Sequence, residues 1–151
     1  MAGFEWRYNI SGGRPLILSF LFSGTETLTK GDIVNLESGE MDLGVAADAT
    51  LIGAFMGPED PKDAKDGEPG VVEGTDSTTV GRAIVNPDAV YGVADDNARL
   101  AGVTLDLDGA TGAQTVIASS QATLFVVERK RANSDETRVM ITPGEHYLDP
   151  N

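Results

Sequence analysis

The chain has no cysteine, which excludes disulfide bridges and thiolate metal ligands. It has one histidine, His146, so a metal site with several imidazole ligands is excluded as well. A Ser-His-Asp triad would have to use His146, and the sequence contains no Gly-x-Ser-x-Gly nucleophile motif. Glycine-rich phosphate loops are also absent. We therefore predict that the protein is not an enzyme and has no catalytic, cofactor-binding or metal-binding residues.

Cations and long apolar runs are scarce. Against 24 Asp and Glu there are only 11 Lys and Arg, which gives a net charge of −13. Nucleic-acid affinity depends on cations that neutralise phosphates, so no nucleic-acid partner is predicted. The longest apolar stretch, Pro15–Phe22, is far shorter than the about 20 residues that a membrane-spanning helix needs. No secretory signal pattern stands at the N-terminus, and no membrane association is expected.

Acidic residues raise the question of calcium. Asp106 to Gly109 begins like an EF-hand loop, but Ala110 and Ile117 occupy positions where the loop needs oxygen ligands. A hairpin turn explains the motif better.

Short alternating or apolar segments between glycines predict a mainly β protein. The 18 glycines allow many tight turns. Leu16–Phe22 is nearly continuous in apolar character and is predicted to be a strand covered on both faces. The predicted strands are Phe4–Ile10, Leu16–Phe22, Ile33–Leu36, Met41–Val45, Leu51–Met56, Thr79–Val85, Val103–Leu107, Gln114–Ala118, Thr123–Arg129 and Thr137–Thr142.

Two segments interrupt this pattern. Gly57–Asp76 is rich in proline and acidic residues and is predicted to be one long surface loop, because proline removes hydrogen-bond donors from a strand ladder. Asn86-Pro87-Asp88-Ala89 has the residue order of a helix start and predicts a helix of a few turns at most. We expect one or two short helices at most in the whole chain.

A weak internal repeat refines the fold. Gly31 matches Gly102, Leu36 matches Leu107, and Ala49–Leu51 matches Ala122–Leu124 with a small gap between. Chance similarity is an open alternative, because these are common residues. The predicted fold is a small glycine-rich β-barrel or sandwich with a pseudo-repeat, in which residues 14–151 form a single domain and residues 57–76 its long loop.

Residues 1–13 are predicted to form an extended N-terminal arm. Phe4, Trp6 and Tyr8 alternate with polar residues and would project from one face of a strand, and Gly12-Gly13 supplies a flexible joint. Such an arm binds a partner by strand addition. The alternative is that the segment forms the first strand of the chain's own barrel. Both interpretations stay open at this point.

Five segments together resemble the head decoration proteins, or cement proteins, of tailed phages. The resemblance rests on Lys30–Val34, Leu51–Gly53, Pro87–Tyr91, the strand unit that opens at Gly102, and Thr137–Ile141. It covers most of residues 16–147. The loop at 57–76 is longer than the simplest members of the family would need.

The resemblance implies a viral structural protein of the virion, made in the host cytoplasm and bound to the outer surface of the bacteriophage capsid. Its partners would be the major capsid (coat) protein and itself, as a homotrimer that clamps neighbouring coat subunits and stabilises the shell. The expected capsid or subunit contacts are Phe4, Trp6, Tyr8, Ile10, Pro58, Pro61 and Pro69. Two alternatives stay open, namely another virion component such as a tail part or fibre base, and a small β module that binds a ligand or carbohydrate.

Overall fold

A computed structural model describes residues 3–75, 78–129 and 134–148. Within these residues the chain forms fourteen β-strands and one short 3-10 helix at Pro61–Asp63. The strands are β1 (Phe4–Asn9), β2 (Ile17–Phe22), β3 (Thr25–Thr29), β4 (Ile33–Glu37), β5 (Glu40–Leu43), β6 (Leu51–Pro58), β7 (Ala64–Lys65), β8 (Glu68–Thr75), β9 (Val80–Ile84), β10 (Ala89–Ala94), β11 (Thr104–Asp108), β12 (Thr115–Ala118), β13 (Leu124–Glu128) and β14 (Glu136–Ile141). The prediction of a mainly β fold is confirmed.

The strands of the described ranges form a barrel and two open sheets. The barrel closes in the order β2-β5-β4-β6-β9, and the larger open sheet has six strands in the order β1-β10-β14-β13-β11-β12. The smaller sheet has the order β3-β8-β7. No helix in the described part of the chain is long and apolar enough to cross a membrane.

Two hydrophobic cores meet at strands β4 and β6. Val34 and Phe55 point into the barrel, where the rings of Phe22 and Phe55 pack edge to face with their centroids 5.9 Å apart. Ile33 and Ala54 point the other way, into the core beneath the six-stranded sheet. These two strands are therefore buried on both faces, and they join the barrel to the sheet.

The pseudo-repeat corresponds to a repeated strand arrangement. In each unit a hairpin (β4–β5 or β11–β12) is joined by a third strand (β6 or β13) that pairs antiparallel with the first strand of the hairpin. The register does not follow the repeat in the sequence. Since Leu51 matches Leu124, the pair Val34↔Gly53 would correspond to Leu105↔Val126, but Leu105 pairs with Leu124, two residues earlier.

The predicted long loop at 57–76 is wrong over the residues that the structure describes, which end at Thr75. The segment carries the end of β6, the 3-10 helix, and the hairpin of β7 and β8. Strand β8 pairs with β3, which the sequence did not indicate, from Thr25↔Thr75 to Thr29↔Val71. The prolines are tolerated because Pro58 ends one strand and Pro69 precedes the residues that pair with β3.

The predicted helix at Asn86–Ala89 is also wrong. Residues 87 and 88 form a turn, and Ala89 begins strand β10. The side chains that would cap a helix accept hydrogen bonds from another segment instead, since Asn86 Oδ1 accepts from the Leu16 N–H at 2.6 Å and Asp88 Oδ2 from the Ser11 N–H at 2.7 Å. Strand β10 then lies between β1 and β14, where tertiary pairing outweighs the local helix signal.

The N-terminal segment forms part of the six-stranded sheet. Strand β1 pairs antiparallel with β10, and Phe4 is only 2% exposed in the core. Of the two interpretations left open by the sequence, the structure therefore adopts the internal strand, and residues 4–9 are not a free arm. Residues 1, 2, 76, 77, 130–133 and 149–151 of the predicted arm, loop and domain lie outside the described residues.

Candidate docking groove

Two neighbouring cavities form a groove along one side of the barrel. The first, of about 400 Å³, is lined by Phe4, Glu5, Trp6, Pro15, Lys30, Gly31, Met56 and Ile84. The second, of about 380 Å³, is lined by Lys30, Met56, Gly57, Pro58, Pro61, Ala64, Pro69, Gly70 and Arg82. Lys30 and Met56 line both. We call the pair of cavities the groove.

The groove brings together most of the contact residues expected from the sequence. Phe4 and Trp6 line the first cavity, and Pro58, Pro61 and Pro69 line the second. Residues that are distant in the sequence thus share one surface.

Backbone hydrogen bonds fix the floor of the groove. The N–H of Phe4 donates to the carbonyl of Gly31 at 2.7 Å, and the N–H of Gly31 donates to Phe55 at 3.0 Å. The N–H of Lys30 donates to the carbonyl of Gly70 at 2.7 Å. The turn at Lys30 and Gly31 therefore ties β1, β6 and β8 together at the point where the cavities meet.

A β-bulge directs Met56 into the groove. In the pairing of β6 with β9, Phe55 lies opposite Ala83 and Gly57 opposite Arg82, so Met56 is the extra residue. A bulge changes the direction of the side chains around it. Met56 is half-buried against the core below, and its side chain forms part of the wall common to both cavities.

A second bulge separates Tyr8 from Trp6. Trp6 pairs with Tyr91 and Tyr8 with the adjacent Val90, so Arg7 is the extra residue. Adjacent residues of a strand face opposite sides, and Tyr8 therefore points away from Trp6. The expectation that Phe4, Trp6 and Tyr8 share one face is wrong for Tyr8, because the bulge reverses the alternation.

The surroundings of Tyr8, Ile10 and Trp6 differ, although all three were predicted as contact residues. The ring of Tyr8 lies under the guanidinium of Arg138, which is 5.9 Å from its centroid. Ile10 is exposed beyond the end of β1 and lines neither cavity. The indole of Trp6 is held in place by a 3.0 Å hydrogen bond from Nε1 to Asn9 Oδ1.

Local structure around the 3-10 helix explains why three prolines line the second cavity. Asp60 caps the 3-10 helix by accepting a hydrogen bond from the Lys62 N–H at 3.1 Å, and Pro61 occupies the first helical position, where no donor is needed. The short helix and the β7–β8 hairpin stand beside the end of β6. Pro58, Pro61 and Pro69 thus face one cavity from three different elements.

Two cations line the groove, and no pattern in the sequence distinguishes them from the other lysines and arginines. Lys30 and Arg82 are exposed, and neither forms an ion pair with any residue that the structure describes. The chain as a whole carries −13. Both side chains are therefore available to carboxylates of a partner.

Strand β2 borders the groove and is largely exposed. Its predicted burial on both faces is wrong, since Leu16, Ile17, Leu18 and Leu21 are 52, 37, 44 and 42% exposed. The six-stranded sheet packs against β4 and β6 and leaves β2 uncovered. Ile17 and Ser19 pair with Ile84 and Arg82, which line the groove, so the exposed side chains of β2 lie beside the groove.

The buried carboxylates outside the groove have structural partners. Asp106 accepts hydrogen bonds from the N–H groups of Ser120 (2.7 Å) and Gln121 (3.0 Å), and it thereby holds the turn before β13. Burial alone would raise the pKa of Asp106, but these hydrogen bonds hold that pKa at about 2. In the described ranges no group of three or more His, Asp or Glu side chains could hold a metal ion.

No protein-family model and no curated protein matches this chain.

Proposed function

We propose that the chain is a viral structural protein that decorates the outside of a phage capsid as a homotrimer and clamps neighbouring coat subunits. The proposal is carried by one observation, the row of exposed apolar side chains on and before β2 that lies beside the groove. A monomer rarely exposes a large apolar patch unless the patch is a contact site. The sequence resemblance to head decoration proteins points to the coat protein as the partner.

Repetition of the contact in a trimer would increase the affinity for the capsid. A closed trimer presents each contact three times, and linked contacts bind more tightly than any one of them alone. A protein that binds only the assembled shell stabilises that shell by mass action. Proline and methionine walls with two exposed cations suit a coat segment that is apolar and acidic.

Co-sedimentation with phage heads tests the proposal. Purified protein is mixed with expanded, undecorated heads of the phage that encodes it, and bound copies are counted after sedimentation. A decoration protein saturates the heads at a copy number set by capsid symmetry, whereas a tail part binds in few copies. Absence of head binding would refute the proposal.

Point variants locate the contact better than truncation does. Removing residues 1–12 would delete the buried Phe4 and a whole strand of the six-stranded sheet. Pro69→Glu instead places a carboxylate in the exposed wall of the groove and should weaken head binding. Leu100→Glu makes the same kind of change at an exposed loop residue that lines neither cavity, and it serves as the matched control.

One observation favours a second function, a small-ligand or carbohydrate-binding module. The first cavity, at about 400 Å³, has the size of a ligand pocket and contains the half-buried indole of Trp6. Titration of Trp6 fluorescence with mono- and oligosaccharides tests this function. A saturable change would support it, and an unchanged spectrum would count against it.

A further inference from the structure

The barrel is closed by a very short seam. Strand β2 pairs with β9 along its whole length, from Ile17↔Ile84 to Leu21↔Val80. With β5 it pairs only through Leu21↔Glu40 and Phe22↔Met41. In the described part of the chain, the edge of β2 that faces away from β9 therefore has no strand partner before Leu21.

The hydrogen-bond pattern shows which backbone groups face this free edge. The Val85 N–H donates to the Leu16 carbonyl and the Phe22 N–H to the Thr79 carbonyl, each at 3.0 Å. In an antiparallel pair, every second residue bonds to the same neighbour. The N–H and C=O groups of Ile17 and Ser19 consequently point outward along the free edge.

This edge lacks the protection that exposed strands usually carry. Natural edge strands are blunted by lysine, proline, bulges or a covering segment. The sequence of β2 is Ile-Leu-Ser-Phe-Leu-Phe, with no charge and no proline, and its pairing with β9 has no bulge. Leu18 and Ile17 are exposed on opposite faces of the strand, so an added strand would find apolar contacts on both sides.

The distribution of charged residues indicates which kind of segment would bind to the free edge of β2. No acidic residue occurs from Trp6 to Thr25 or from Thr78 to Pro87, although the chain has 24 acids. These segments contain β2 and β9. The exposed cations near them, Arg14 and Arg82, have no ion pair within the described residues.

We propose that the free edge of β2 is a docking strand for an extended segment of another protein, in which apolar residues alternate with acidic ones. Outward backbone groups of Ile17 and Ser19 would pair with that segment. Its apolar side chains would cover Leu18 on one face of β2, and its carboxylates would lie on the other face, where Ser19 pairs with Arg82. A second copy of β2 fits less well, because it brings no carboxylate and its parent molecule carries −13. The inference rests on the proposed function only for the identification of the partner as coat protein.

Amide hydrogen exchange on the full-length protein tests the docking strand. The probe is a capped ten-residue peptide of alternating valine and glutamate. We expect saturable protection of the Ile17 and Ser19 amides, with exchange slowed about tenfold or more. Ser19→Pro removes one outward N–H without touching the ladder to β9 and should abolish protection at Ile17, whereas Ser19→Ala should retain it.

Charge variants keep the test decisive even where Ser19→Pro folds poorly. Arg82→Glu should weaken binding of the glutamate peptide, and a peptide with lysine in place of glutamate should not bind the wild-type protein. Equal binding of both peptides, or no protection by the glutamate peptide, would overturn the proposal. Protection that grows with protein concentration alone, together with oligomers in light scattering, would assign the edge to a second copy and also overturn it. Protection by the peptide without binding to heads would refute the decoration function and leave the docking strand standing.

Discussion

The carboxylate of Glu136 lies directly against the backbone of Gly92, where a β-carbon would stand. A methyl group at Gly92 would come within 2.6 Å of both carboxylate oxygens. In this position Glu136 pairs with Arg7 on one side and with Arg138 on the other, at 3.1 and 3.3 Å from their Nε atoms. The absence of a side chain at Gly92 thus makes room for a charge ladder across β1, β10 and β14.

Gly92→Ala is expected to destabilise the fold by about 1–3 kcal/mol, because the new methyl group displaces the Glu136 carboxylate from both arginines. Chemical denaturation measures the loss. Glu136→Ala removes the obstructing group, so the double variant should lose less stability than the sum of the single variants. Additive losses would show that the methyl group is accommodated elsewhere.

Gly53→Ala should destabilise the protein by more than about 3 kcal/mol, because a β-carbon there meets the Ile84 carbonyl oxygen and the Tyr91 hydroxyl, and φ is +143°. Gly57→Ala is the matched control. Its φ is +107° but no atom lies within 4 Å of the added carbon, so only backbone strain of about 1–2 kcal/mol is expected. Thermal unfolding of both variants separates steric overlap from strain, and equal losses would contradict the assignment.

Acid should weaken the fold through Asp106. The pKa of Asp106 is about 2 in the folded chain, against about 3.9 when unfolded. Because the folded pKa is the lower one, the stabilisation of about 2–3 kcal/mol is complete above about pH 4 and is lost as the pH falls towards 2. Chemical denaturation of the wild type and of Asp106→Asn is carried out between pH 7 and pH 2. The difference between their free energies of unfolding gives the contribution of the Asp106 carboxylate.

The same comparison controls for other carboxylates. Burial raises the pKa of Asp42 and that of Asp48, so protonation of these groups favours the folded state as the pH falls. Both groups are present in the wild type and in Asp106→Asn, and their effect cancels in the difference. A difference that does not change below pH 4 would contradict the role of Asp106.

We expect the two hydrogen bonds of the His146 imidazole to stabilise the packing of the C-terminal segment against β6. Its Nδ1 accepts a hydrogen bond from the Leu148 N–H at 3.0 Å, and its Nε2 lies 2.9 Å from the Ile52 carbonyl oxygen, to which it can then donate. His146→Ala should lower the free energy of unfolding by about 1–3 kcal/mol, because a buried carbonyl loses its donor. Tyr147→Ala, at an exposed neighbour, should change it by less than about 0.5 kcal/mol. Similar losses in both variants would contradict a specific role of the imidazole.

The positions of many strands along the chain were predictable, because residue period and glycine spacing are local signals. The segments around Ile33, Leu51 and Thr137 form the expected strands within a residue or two. The repeat that relates Gly31 to Gly102 corresponds to two units with the same strand arrangement, although their cross-strand register differs by two residues. Strand β3 was missed because Thr-Glu-Thr-Leu-Thr contains a single large apolar residue and depends on β8 for its pairing.

The groove was only partly predictable. Trp6 and the three prolines, which the sequence predicted as contact residues, line the groove, but no local pattern indicates a bulge at Arg7 or at Met56. The exposure of β2 depends on which side of the barrel the sheet covers, and that is decided by long-range packing. The run without acids from Trp6 to Thr25 was visible in the sequence and could have drawn attention to this side of the molecule.

The uneven placement of carboxylates has a consequence for encounters. Strands β2 and β9 hold no acidic residue, while the molecule as a whole carries −13, so its centre of charge is displaced from its centre of mass. Such a molecule has an electric dipole, and near an acidic surface it rotates until the side with β2, β9 and the exposed Arg82 leads. Orientation then precedes contact, and lowering the ionic strength should make a larger share of collisions productive.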